Sequence, residues 1–177
     1  KLDGAIAATP LAQEDIIERP LFYEPFVAYI PDNHRLSDQK QLHSEDLRLD
    51  EVLLLEDGHC FRDGVVNLCG VPKQLDPSVF RIESGSFETL IKLSDENMGM
   101  TLLPYLHTLH LNEQQKKHLK YFEKPEPARE ISLIYHKSEL KLQITSVLKE
   151  VISSVIRGAI SFHDVKIISP KQQSTKV

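Results

Sequence analysis

The chain has 177 residues, a 41% hydrophobic and 27% charged composition, and a formal net charge of −5. That is enough chain for one large or two small domains with an ordinary core, and its acidic balance argues against a broad basic face for nucleic acid. No apolar run approaches the ~18 residues of a membrane helix, Lys1-Leu-Asp-Gly-Ala-Ile lacks the basic-then-apolar order of a signal peptide, and two cysteines are too few for a secreted disulfide scaffold. The expected compartment is a reducing cytoplasm, where a disulfide is a transient redox event rather than a staple.

Ala5 to Ala8 is an apolar run after Gly4 and reads as a buried strand. It opens so close to Lys1 that further residues are expected before it. Ile16 to Phe22 reads as an edge strand interrupted by Pro20, and Phe26 to Ile30 as a second strand. Pro31 to Lys40 is a polar loop, and Ser44 can cap a short helix through Leu47. Glu51-Val-Leu-Leu-Leu55 has the unbroken apolar character of a strand in a parallel sheet. Asp76-Pro77 marks a turn, and Val79 to Ile82 a short strand. Ser86 can cap a helix from Phe87, with Phe87, Leu90, Ile91 and Ser94 on one face.

Gly99 to Leu103 is strand-like and stops at Pro104. Tyr105 to Lys117 is polar and helix-prone. Its His107 and His110, with His118 beyond, read as scattered on an exposed face, with metal binding as the other reading. Lys116-Lys117 reads as solvated surface. Leu119 to Phe122 leads into a rigid Pro125/Pro127 connector, a candidate domain crossing, and Ile131 to Tyr135 is a strand. Ile144, Val147, Leu148, Val151, Ile152, Val155 and Ile156 keep helical spacing without a gap; this stripe packs in the core or forms a dimer face. Beyond Asp164 the chain turns polar, and residues 169–177 read as disordered. Short strands alternating with helices imply an α/β fold with a mostly parallel sheet.

Both cysteines fall between Leu53 and Gly70. Cys60 follows a strand and a glycine, near a helix start whose free N–H groups favour an anion. His59 adjoins it, and Arg62 is near enough in sequence to bring its guanidinium back to the sulfur. A thiolate so placed can attack a peroxide and become a sulfenic acid. Cys69 lies nine residues on. Within one helix the two Cα atoms would be separated by a rise of about 13.5 Å and the thiols would face opposite sides, whereas a disulfide needs Cα atoms roughly 4.4–6.8 Å apart. Joining them requires unwinding, which Gly64 and Asn67, poor helix formers, would ease. The residues alone leave other readings open. One is that both cysteines are small buried hydrophobes, and another, with weak support from Cys-x8-Cys and one histidine, is a zinc site.

Leu54-Leu-Glu-Asp-Gly-His-Cys-Phe-Arg-Asp63, with Cys69 downstream, closely resembles the hydrogen-peroxide-sensing members of the LysR-type transcriptional regulators. Leu2-Asp3-Gly4-Ala5-Ile6, Pro20-Leu-Phe-Tyr-Glu-Pro25, Glu88-Thr89-Leu90, Gly99 to Pro104 and Lys124-Pro-Glu-Pro127 follow in the family's order, so the resemblance spans about residues 1–160. It implies an α/β regulatory domain of two Rossmann-like subdomains resembling periplasmic binding proteins. The first, incomplete, would combine residues 1–23 and 129–165, the second would span 24–128, and 166–177 would be a flexible tail. It implies that Cys60 is the peroxide-reactive thiol and Cys69 the resolving thiol, joined by an intramolecular disulfide that refolds residues 60–69. His59, Arg62, Asp63 and Arg129 would support the peroxide site.

The resemblance further implies a regulator rather than an enzyme, without metal or cofactor. It would form a homodimer or homotetramer and be reset by a glutaredoxin- or thioredoxin-type thiol reductant. It would reach promoter DNA and RNA polymerase only through the full-length protein, whose winged helix-turn-helix, with part of the first subdomain and the family's pocket threonines, is absent from this sequence. Two other functions stand beside this one. The first is a domain binding a small organic effector between subdomains; Ser84-Gly85-Ser86 reads either as an anion site at a helix start or as plain helix capping. The second is a thiol peroxidase.

Overall fold

The computed structural model describes residues 3–70, 83–138, 142–158, 160 and 165–169. Along the chain run β1 (Ala5–Thr9), β2 (Ile16–Tyr29), β3 (Gln41–Leu42), β4 (Leu54–Leu55), α1 (Cys60–Cys69), β5 (Glu83–Ser84), α2 (Phe87–Asp95), β6 (Thr101–Pro104), α3 (Tyr105–Thr108), β7 (Leu119–Phe122), β8 (Glu126–His136), α4 (Leu142–Arg157) and β9 (Val165–Ile167). The chain is α/β, as expected. The turn expected at Asp76-Pro77 and the strand at Val79 to Ile82 lie outside the described residues.

β2 and β8 form the backbone of the molecule. The segments Ile16–Phe22 and Phe26–Ile30, read from sequence as two strands, are one 14-residue strand to Tyr29. Its first part pairs antiparallel with β8, from Ile16↔His136 to Pro25↔Ala128, with a register shift between Pro20 and Phe22. Its last residues pair instead with β6 and β7. β1 lies on the far side of β8, so among the described residues β2 is an edge where it carries Pro20, and the missing N–H disrupts no second ladder there.

The expectation of a mostly parallel sheet is corrected. Among the described residues four strand pairings are antiparallel and three are parallel. Periodicity reports which residues are buried, but not which distant strand lies alongside. Val52–Leu55 of the expected Glu51–Leu55 strand is buried as read, but only Leu54–Leu55 pairs in parallel with β5; Val52 bridges Met100 and Glu51 ends a 3-10 turn.

Three further expectations change. Tyr105 to Lys117 is not one helix: α3 ends at Thr108, and Asn112 Oδ1 accepts the amides of Gln114 and Gln115, a side-chain turn that competes with helix. Residues 166–169 are not free tail. β9 pairs with Glu126–Ala128, the Ile168 amide donates to the Ala128 carbonyl at 2.7 Å, and Asn67 Nδ2 donates to the Ser169 carbonyl at 2.8 Å. The apolar stripe of α4 is not core: Ile144, Val147, Leu148, Val151 and Val155 are exposed. Less exposed Lys149, Ser153 and Ile156 instead line a cleft with Pro20, Leu21 and Phe22 of β2.

The main core joins Phe26, Leu54, Leu55, Phe61, Val65, Leu68, Leu90 and Leu102. α1 contributes Phe61, Val65 and Leu68 at helical spacing. Gly64 lies on the same face, where a Cβ would sit 2.9 Å from Phe26 Cζ. The Phe26 ring is itself held by Phe61, with centroids 5.0 Å apart. Gly64→Ala gains about 1 kcal/mol of helix propensity but overpacks the site, at a cost of typically 1–3 kcal/mol. We predict net destabilisation of the reduced protein. Thermal unfolding will show a fall of about 2–4 °C for each kcal/mol lost.

Candidate functional site around Cys60

The helix that carries both cysteines starts and stops for local reasons. Gly58, at φ +93°, turns the chain out of β4, a conformation that costs glycine little. His59 is extended at the N-cap position without a side-chain capping bond, and its carbonyl accepts from the Arg62 amide at 2.9 Å. Cys60 is therefore the first helical residue. Nine residues later Cys69 is the last, and Gly70 closes the helix at φ +71°. The two thiols occupy the two ends of one ten-residue helix, so about 13.5 Å of rise separates their Cα atoms. Both are free thiols.

Their surroundings differ. Cys60 is exposed and lines a cavity of about 510 Å³ with Phe22, Glu24, His107, His110 and Arg129. Cys69 packs against the main core, and burial pushes its thiol up to about 12.

Arg129 is where the resemblance placed a site arginine. It faces Glu24 across the β2–β8 ladder, and its Nε and Nη2 donate to Glu24 Oε2 at 2.9 and 2.7 Å. Glu24 is only 3% exposed, and its Oε1 accepts the Leu106 amide at 3.1 Å. The guanidinium carbon of Arg129 sits 4.9 Å from the Phe61 ring centroid, close enough for cation–π attraction. Phe61 follows Cys60 directly, so the pair of charges bears on the first turn of α1. Removing one partner of such a buried pair costs about 3–5 kcal/mol. Sequence reading passed over Glu24. The only signal was a carboxylate between aromatic and apolar residues on a strand, where an unpaired charge is not tolerated.

Arg62 is turned elsewhere. Its Nη1 lies 2.8 Å from Asp57 and its Nη2 2.7 Å from Glu83, tying the first turn of α1 to the preceding loop and to β5. Asp63 is half-buried, and burial raises its carboxyl above the ordinary range against the opposing pull of Arg62. His59 is exposed. Of the expected site residues, Cys60 and Arg129 border one cavity, while His59, Arg62, Asp63 and Cys69 are not among its lining. His107 and His110 do line it, and His107 rests against the Phe87 ring at 5.0 Å. Among the described residues, no group of three or more His, Cys, Asp or Glu side chains is placed to hold a metal ion. No described helix is long and apolar enough to cross a membrane.

The family model for the LysR substrate binding domain matches residues 1–155. The chain belongs to this family. It is 32% identical over 164 residues to a hydrogen peroxide-inducible genes activator of Haemophilus influenzae, covering 89% of this chain and 53% of that protein. It is 36% identical over 137 residues to the DNA-binding transcriptional dual regulator OxyR of Escherichia coli K12, covering 76% of this chain and 44% of that protein. The chain thus spans about half the length of these relatives. Among solved structures it resembles OxyR from Porphyromonas gingivalis, with a TM-score of 0.77 at 26% identity over 95% of this chain and 75% of that one. The reduced form of the OxyR regulatory domain from Pseudomonas aeruginosa gives a TM-score of 0.70 at 29% identity, over 86% and 73% of the two chains.

The raised Cys69 thiol makes a stability prediction. An unfolded thiol titrates near pH 8.5, whereas the folded one holds its proton to about 12. Between those values the unfolded chain binds fewer protons, so stability is fully present below pH 8.5 and falls as pH rises. Urea unfolding of the reduced protein at pH 8 and pH 10 will show a loss of up to roughly 1 kcal/mol per pH unit. Cys69→Ser will lose that component of the slope.

Proposed function

We propose that this chain is the regulatory domain of a hydrogen-peroxide-responsive transcription activator, in which Cys60 is the sensing thiol and Cys69 the resolving one. The observation that carries the proposal is the placement of one cysteine at each end of a single helix, the first open to a cavity and the second buried. The Cys60 thiolate attacks one peroxide oxygen: an S–O bond forms, the O–O bond breaks and hydroxide leaves, taking a proton to become water. The resulting sulfenic acid is then attacked by Cys69, which forms the S–S bond and expels a second water. In total, two thiols and one peroxide give a disulfide and two waters.

The helix geometry divides this sequence in time. While α1 is intact, Cys69 is both too far away and held protonated by burial. Unwinding brings it within reach and into water, where a thiolate forms more readily. Chemistry at Cys60 is thereby converted into refolding of residues 60–69.

The same reading divides the chain into subdomains at residues 1–23 with 129–165 and at 24–128, with β2 and β8 crossing between them. Refolding would alter a homodimer or homotetramer, acting on promoter DNA and RNA polymerase through the full-length protein in the cytoplasm. A glutaredoxin- or thioredoxin-type reductant would reset it. A regulator needs one oxidation per signal, which separates it from a thiol peroxidase that must turn over. The cavity volume also falls in the range of small-molecule sites, ~300–1,000 Å³, which supports the second reading, a small organic effector bound there.

One equivalent of hydrogen peroxide added to reduced protein will give a product two hydrogens lighter, with a Cys60–Cys69 cross-linked peptide after digestion. Cys69→Ser will instead accumulate sulfenic acid at Cys60, trapped by dimedone. Thiols that survive the oxidant in wild type would refute the switch. The effector reading predicts ligand binding that Cys69→Ser leaves intact.

A further inference from the structure

Among the described residues, the cavity beside Cys60 is lined by one acidic and one basic side chain, Glu24 and Arg129, and they are bonded to each other at 2.7 and 2.9 Å. Its remaining lining is apolar apart from Cys60, His107 and His110. Glu24 is fixed on both oxygens, by Arg129 on Oε2 and by the Leu106 amide on Oε1. The carboxylate thus cannot swing away without giving up its bond to the partly buried Leu106 amide. The guanidinium is engaged along its Nε/Nη2 edge by Glu24, and one face packs over Phe61. An unmasked arginine in a half-enclosed cavity is a strong anion ligand, because its planar fork matches carboxylate and phosphate oxygens.

We infer that Glu24 is a specificity-determining residue: by neutralising Arg129 it keeps the cavity free of net charge, so that Cys60 is open to small neutral reagents and closed to anions. The inference rests on Cys60 being the reactive thiol of this cavity, and it says what the Glu24–Arg129 pair turns away: carboxylates and oxyanions. Peroxide is neutral at physiological pH and suits such a site.

The test compares two alkylating agents of similar size, neutral iodoacetamide and anionic iodoacetate, and reads the ratio of carboxymethylated to carbamidomethylated Cys60 by peptide mass spectrometry. Glu24→Gln will raise that ratio roughly tenfold, the scale of an unmasked charge a few ångströms away at the edge of a protein. Arg129→Gln, which leaves Glu24 as the lone charge, will lower it below wild type, and the double variant will return it towards wild type. Circular dichroism establishes that each variant is folded. A folded Glu24→Gln with an unchanged ratio would overturn the inference. If Glu24→Gln does not fold, an Arg129→Gln ratio at or above wild type overturns it. Neither reagent is a peroxide, so the two readings fail separately. Ratios that shift as stated in a protein inert to peroxide would sink the sensing function and leave the charge masking in place.

Discussion

Ten residues of α-helix hold two thiols apart, and contacts made by the residues between them keep that helix formed. A helix of this length is marginal on its own in water. Its persistence in the reduced chain must come from tertiary contacts. Phe61, Val65 and Leu68 sink into the main core, Gly64 lets the helix close on Phe26, Arg62 is clamped by Asp57 and Glu83, and Asn67 is tethered to the Ser169 carbonyl. Each of these contacts is made by a residue between the two cysteines. Unwinding the segment therefore breaks all of them, and the free energy of the disulfide must exceed their sum for the oxidised state to prevail.

Under the proposed switch, that competition would make the helix a two-state element rather than a hinge. The Glu24–Arg129 pair stands at its N-terminal end, where β2 and β8 run side by side, and Arg129 reaches α1 through the Phe61 ring. Because β2 pairs with β8 along its first part and with β6 and β7 at its end, the proposed rearrangement of the first turn of α1 would act on the strand that joins these pairings. Cys69 sits at the opposite end among core residues. Its departure would leave Leu68 and its neighbours to repack, and that is how a local bond change spreads into the surrounding fold.

Reading the sequence found what is encoded locally. The start of α1 after Gly58 is read from the sequence, whereas its end at Gly70 and its inward face of Phe61, Val65 and Leu68 come from the structure. Ser86 caps α2 as expected, accepting the Thr89 amide at 3.2 Å. What depended on distant partners was not visible. Arg62 was read toward the neighbouring sulfur, yet its partner Glu83 is 21 residues away. Glu24 became part of the site only because residue 129 pairs opposite it, 105 residues later. The stripe on α4 was correct as a helix and wrong as core, since periodicity identifies an apolar face without naming what covers it. The family resemblance singled out Arg129, which spacing alone would not have done, and Arg129 lines the same cavity as Cys60.

The central claim is that the disulfide requires α1 to unwind. Hydrogen–deuterium exchange of the peptides spanning residues 60–69, measured on fully reduced and peroxide-oxidised protein, tests it directly. The account predicts protected amides in the reduced state and a loss of protection of at least tenfold through this segment once the Cys60–Cys69 bond has formed. A disulfide-bonded protein that kept the reduced-state protection across residues 61–68 would contradict it.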